Sequence, residues 1–203
     1  MNTSLYKKGS EWRKWDLHIH TPASFHWSGG KRFFEMNITE KEHTFSKMLE
    51  TINNSDVAAF AITDYWTFDG YVEFKEYIKK KNLKLNKTVF PGMELRVEAP
   101  VDYRLNIQVI LSDELTTQQL KDFKAKLKIG SINRSLSNDA IKEFALSLDD
   151  SKAKVQGFES PSSLNDAKLL ELGSKTVVVT KESLCGDAFT AIHPKSGYFL
   201  LPY

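Results

Sequence analysis

Five residues in the first half of the chain have the types and spacing to bind a metal ion: His18, His20, His26, Asp64 and Glu94. The run Trp15-Asp16-Leu17-His18-Ile19-His20 alternates apolar and polar residues and breaks at Pro22. That pattern predicts a strand running into a loop. Successive side chains on a strand point to opposite faces, so His18 and His20 project together while Leu17 and Ile19 pack behind them. Imidazoles about 6–7 Å apart along one strand can close on a single ion when their rotamers converge. A His-x-His pair by itself is more often an ordinary surface or half-buried pair, so the acidic residues that follow decide its meaning. Imidazole nitrogen combined with carboxylate oxygen suits Zn²⁺, Mn²⁺ or Fe²⁺ rather than Mg²⁺ or Ca²⁺ alone. Two such ions close together would clamp a phosphoryl group and supply hydroxide near neutral pH, which is the chemistry of phosphomonoester or phosphodiester hydrolysis.

The elements around these residues place them at strand ends. Apolar residues from Val57 to Ile62 lead into Thr63-Asp64-Tyr65, and Thr88 to Phe90 lead into Pro91-Gly92-Met93-Glu94. Between the strands, Phe45, Met48, Leu49 and Ile52 predict an amphipathic helix over residues 39–53, and Tyr71, Phe74 and Ile78 predict a second that ends in Lys79-Lys80-Lys81. Strand, helix, strand, helix, strand is the alternation of an α/β fold. Further strands are expected over 105–111, 176–180 and 198–202, parallel to the first three. Thr116 to Gln119 offers a capping box for a helix burying Leu120, Phe123 and Leu127. Another helix carries Ile141, Phe144, Ala145 and Leu148, with Asn138 as its cap. A last one opens at Ser163 to Asp166 and is expected to close at Gly173.

Asp16–Thr21, Ala61–Tyr65 and Pro91–Leu95, which read DLHIHT, AITDY and PGMEL in that order, resemble the opening motifs of the PHP (polymerase and histidinol phosphatase) domain. The resemblance implies a distorted (β/α)7-type barrel, incomplete in this chain, with one to three divalent metal ions at the C-terminal ends of its strands. It implies His18, His20 and Glu94 as metal ligands and catalytic residues, with Glu94 bridging two ions. It implies His26 as a ligand of a third ion, and Asp64 as the acidic member of a Thr-Asp-His motif, both catalytic and metal-binding. Three positions depart from the family pattern. Tyr65 replaces the histidine of that motif, and Gln108 stands where a strand histidine is expected. The later His-Pro motif has two counterparts, His193-Pro194 and Leu201-Pro202. The stretch from Lys8 to Ser24 resembles PHP domains that lead larger proteins with an ATPase region, of the type found in prokaryotic antiviral defence loci.

Composition bounds these readings. The 203 residues are 41% hydrophobic, enough for one domain with a substantial core. We read residues 1–12 as an N-terminal arm and 13–203 as the barrel domain. The net charge of +2 argues against a surface that coats nucleic acid, although a local basic groove is compatible with it. The single cysteine, Cys185, excludes an internal disulfide and suits the reducing cytoplasm. No apolar run reaches the roughly 18–20 residues that span a bilayer. The apolar ending, Tyr198 to Tyr203, reads as a buried strand, so a longer polypeptide is expected.

Three functions compete at this stage. The first is an active metal-dependent phosphoesterase or nuclease, its substrate a phosphoester with nucleic acid among the candidates, alone or as a homo-oligomer. The second is a degenerate PHP domain that regulates, senses or binds without catalysis. The third is a nucleic-acid-binding module using Trp27, Lys31, Arg32 and the lysines from Lys79 to Lys87, for which no recognition motif is present. Gly29-Gly30-Lys31-Arg32 could cradle a phosphate but lacks the P-loop spacing, and a surface loop with solvated charges is the better reading.

Overall fold

A computed structural model describes residues 12–100, 105–192 and, by backbone alone, 199–201. Most of the expected N-terminal arm, His193-Pro194 and Pro202 lie outside the described residues. The fold is mixed α/β, built on one curled five-stranded sheet that forms a partial barrel.

The first half follows the alternation of the sequence. Strand β1 (Trp15–Ile19), helix α1 (Ile38–Asn54), strand β2 (Ala59–Tyr65), helix α2 (Asp69–Lys80) and strand β3 (Thr88–Val97) succeed one another, and β1, β2 and β3 are parallel neighbours. Every residue of β2 is buried, because the strand lies between two others and is covered on both faces. Helix α1 begins in a capping box in which Asn37 accepts from the Glu40 amide, and it buries Phe45, Leu49 and Ile52. Helix α2 buries Tyr71 and Phe74, which meet Phe45 and β3 in the main core.

The second half corrects the expected pairing. Strand β4 (Leu105–Ile110) runs antiparallel to β3, and strand β7 (Phe199–Leu201) runs antiparallel to β4. A parallel crossover needs about a dozen residues or more, whereas residues 98–104 alone join β3 to β4, so the chain can only turn back. The stretch expected as a strand over 176–180 forms a single parallel bridge, Val97 to Val179, at the end of β3. Val177 and Val179 are fully buried, so the apolar signal was real while the pairing is minimal.

Between β4 and β7 lie α3 (Thr117–Lys126), the two-residue strands β5 (Lys128–Ile129) and β6 (Arg134–Ser135), and helices α4 (Asn138–Leu146), α5 (Asp150–Val155) and α6 (Asp166–Thr176). The Thr116–Gln119 capping box forms as the sequence predicts. The cap of α4 is Ser137 rather than Asn138, its hydroxyl accepting from the Ala140 amide. Gly173 does not close its helix, since α6 continues to Thr176. A Cβ there would lie 2.4 Å from the Ile141 carbonyl oxygen, so this glycine serves the close packing of α6 on α4.

Candidate metal centre

The three parallel strands end side by side and carry the candidate residues there. Tyr65 on β2 is in register with Glu94 on β3, and Ile19 on β1 with Ile62 on β2. Between Asp16 and Ile19 the register of β1 slips, which places an irregularity at Leu17 and His18. Such bulges re-aim side chains. Here both imidazoles turn inward across β2 to the carboxylate on β3. Gly92 lets β3 lie close against its register partner Thr63 on β2, since a Cβ there would lie 2.5 Å from Thr63 Cγ2.

His18 Nε2 lies 3.2 Å from His20 Nε2 and 3.0 Å from Glu94 Oε2, and His20 Nε2 lies 3.4 Å from the same oxygen. Among the described residues, His18, His20 and Glu94 form the one group of three whose donor atoms converge as a metal would require. Ligands at about 2.0–2.1 Å around a tetrahedral ion are separated by roughly 3.3–3.4 Å, so these atoms stand close to the edges of one coordination polyhedron. Glu94 is 5% exposed. Burial works against its ionisation, but donors from His20, Tyr65 and His18 outweigh it and hold the carboxyl below its ordinary pKa.

Asp64 stands apart from these three atoms. It is fully buried, and its two oxygens accept from the backbone amide and the hydroxyl of Thr21, each at 2.6 Å. Burial pushes its pKa up to about 7, against the opposing pull of the Thr21 bonds and of His20. Its Oδ1 lies 3.9 Å from His20 Nδ1, a buried nitrogen with no hydrogen-bond partner in this arrangement. A metal-binding histidine commonly gives its other N–H to a carboxylate, and Asp64 is the group placed to receive it. The pair depends on Gly70 in the first turn of α2, where a Cβ would lie 2.1 Å from both Asp64 Oδ2 and Thr21 Oγ1.

His26 is exposed and meets the Tyr65 ring, with centroids 4.9 Å apart, rather than a carboxylate. Its partial burial, then the nearby Arg96 and His20, lower its pKa. Tyr65 itself stacks flat on His20 at 5.5 Å and donates its hydroxyl proton to Glu94 Oε1. Burial, followed by Glu94, pushes the phenol well above its ordinary pKa. Gln108 is buried directly across from Glu94 in the β3–β4 register.

Sequence reasoning missed four contributors. Thr21 directly follows the histidine motif, and Gly70 is visible only through the space it leaves. Arg96 lies two residues beyond Glu94 on the same strand face, a spacing that could have revealed it. Its guanidinium sits 4.9 Å above the Tyr65 ring, with Phe25 and Trp66 also around it, and donates to the Ser174 carbonyl at 2.6 Å. That carbonyl is in the last turn of α6, where a cation is favoured. Asn106, the cross-strand partner of Arg96, reaches both Tyr65 Oη and Glu94 Oε1 at 3.3 Å.

The cations of the Gly29–Arg32 loop are locally engaged, Lys31 with Glu40 at 2.6 Å and Arg32 with the Phe25 carbonyl at 2.9 Å. A cleft of about 270 Å³ opens beside Tyr65, with Phe25, Arg32, Trp66 and Asn138 in its walls. Larger hollows of about 610 and 380 Å³ lie between helices, away from the histidines. Of the three, the smaller cleft alone reaches Tyr65, which donates to Glu94, while His18, His20 and Glu94 line none of them.

No family model matches the chain, and no curated protein matches it. Among solved structures, the chain is similar to a protein from Bifidobacterium adolescentis provisionally described as a metal-dependent phosphoesterase. The two share 16% identity with a TM-score of 0.34, over 94% of this chain and 59% of that one. It is also similar to an amidohydrolase from Chromobacterium violaceum with bound sulfate and no metal, at 15% identity and a TM-score of 0.31, over 78% of this chain and 48% of that one. The chain thus spans about half to three fifths of the length of these proteins. Likeness at this level leaves function to be argued from the side chains themselves.

Proposed function

We propose that this chain is a metal-dependent phosphoester hydrolase of the PHP type. One observation carries the reading: the convergence of His18 Nε2, His20 Nε2 and Glu94 Oε2, with separations of 3.0–3.4 Å. A Mn²⁺, Zn²⁺ or Fe²⁺ ion bound there would supply a Lewis acid and a hydroxide near neutral pH. The protein's own residues do the rest. His18 and His20 offer Nε2 lone pairs, which requires their protons on Nδ1. Asp64 is the acceptor placed behind His20, with Thr21 fixing its carboxyl. Arg96 is a fixed positive charge two residues beyond Glu94, sealed from water by the Tyr65, Phe25 and Trp66 rings. A phosphodiester of nucleic acid as that substrate, linkage to an ATPase region within a longer defence protein, and a cytoplasmic setting extend the proposal on the strength of the N-terminal resemblance.

A second reading is favoured by one specific feature, the tyrosine at position 65 where the family pattern has a histidine. On that reading the domain keeps a metal for binding or sensing and does not hydrolyse. Elemental analysis of purified protein, beside a phosphodiesterase assay with added Mn²⁺, separates the two. Metal content with hydrolysis that His18→Ala abolishes supports the first. Metal content without hydrolysis supports the second, and absence of metal after supplementation rejects the first and leaves a degenerate domain without an ion.

A further inference from the structure

We propose that the centre holds a single metal ion, because Tyr65 and Asn106 occupy the Glu94 oxygen that a second ion would need. The inference rests on the reading of His18, His20 and Glu94 as a metal centre.

The two oxygens of Glu94 face different company. Oε2 points at the two imidazoles, 3.0 Å from His18 Nε2 and 3.4 Å from His20 Nε2. Oε1 accepts the Tyr65 hydroxyl proton and lies 3.3 Å from Asn106 Nδ2. A carboxylate that bridges two ions must present a lone pair from each oxygen to a cation. Here two donor hydrogens already point at Oε1, and their partial positive charge repels a cation brought to the same oxygen.

Tyr65 is not free to swing away. Tyr65 is fixed by strand register directly opposite Glu94 and by its stack on His20, with ring planes 7° apart. On the ring also sits the Arg96 guanidinium, at 4.9 Å, itself bonded to the Ser174 carbonyl at the end of α6. That permanent charge, 8% exposed, is a further obstacle to a second cation nearby. His26, which could otherwise help hold another ion, has the Tyr65 ring as its neighbour. The structure therefore replaces the second positive charge with protein groups: a phenol and an amide at the oxygen, and a guanidinium behind them.

The test is stoichiometry in the whole chain. The protein is stripped with chelator, loaded with Mn²⁺, freed of excess by gel filtration and analysed for manganese, and its electron paramagnetic resonance spectrum is recorded. One equivalent, with the six-line spectrum of an isolated ion, is the expected result. Two or more equivalents, or an exchange-coupled spectrum, overturn the single-ion inference while leaving the metal centre standing. No bound manganese, with Zn²⁺ and Fe²⁺ also failing, overturns the centre and the inference with it. In Tyr65→His, which removes the hydroxyl and places an imidazole beside His26 and Glu94, a second equivalent is expected. A folded Tyr65→His protein that still binds one ion overturns Tyr65 as the cause. Should that variant fail to fold, the count and the spectrum of the natural protein still decide.

Discussion

The Tyr65 hydroxyl donates to Glu94 Oε1, the oxygen turned away from His18 and His20. One carboxylate is thereby divided between two tasks, its inner oxygen facing the imidazoles and its outer oxygen held by the protein.

His18→Ala removes one of three converging donors while touching little of the core, since the side chain is 46% exposed. Losing even an indirect supporter of a metal commonly costs about 10–100-fold in affinity, so loss of a direct ligand should cost at least that. Thermal stability of the metal-free protein should fall by about 1–2 kcal/mol, since the buried Glu94 carboxyl loses one of its partners. Calorimetric titration with Mn²⁺ or Zn²⁺ measures the first and thermal unfolding in chelator the second. Unchanged affinity would remove His18 from the centre.

Asp64 gives the metal-free protein a definite pH dependence. Its folded pKa is raised from 3.8 to about 7, so the neutral form is favoured by folding. The stability this contributes is full below about pH 4 and is lost as pH rises through about 7, a decline on the order of a few kcal/mol. An amide resembles the neutral acid, so Asp64→Asn should match the natural protein within about 1 kcal/mol near pH 4 and lack the decline above it. Unfolding in chelator from pH 4 to 8 compares the two slopes, and parallel slopes would exclude Asp64 as the source.

Gly70→Ala should destabilise the protein although alanine is the better helix former by about 1 kcal/mol. The new Cβ would meet Asp64 Oδ2 and Thr21 Oγ1 at 2.1 Å. Overpacking of this kind costs about 1–3 kcal/mol. Urea unfolding reads it, and a stabilised variant would show that the Thr21–Asp64 pair can move aside.

Arg96→Met keeps the buried aliphatic stem and deletes the charged donor to the Ser174 carbonyl. Hydrogen bonds to charged groups contribute about 1.5–3 kcal/mol, and a loss of that size is expected in denaturant titration. Trp66 Nε1 also donates to that carbonyl, at 3.1 Å, which keeps the cost from rising further.

How much of this was legible in the sequence depended on range. The β1–α1–β2–α2–β3 order could be read from local periodicity and the His18, His20 and Glu94 cluster from its motifs, although β3 continues three residues past Glu94 to Val97. The antiparallel turn into β4 was also encoded, in the short link over 98–104, a length that no parallel crossover can use. Gly173 looked like a helix end because glycine's usual role is conformational, whereas here its missing side chain serves packing against Ile141. Asn106 and Arg96 join the site through cross-strand contacts and a helix end some 78 residues away in sequence, which no local pattern reports.

The place of β1 in the sheet has one more consequence. Its only strand partner among the described residues is β2, yet His18 and His20 reach over β2 to a carboxylate on β3, about two strand spacings or roughly 10 Å away. Fraying of the outermost strand and release of a bound ion are then a single thermodynamic event, since opening β1 withdraws two of the three donors at once. An ion caught there is a clasp on the rim, and every tenfold excess over its dissociation constant should slow amide exchange along Trp15–Ile19 by about the same factor of ten.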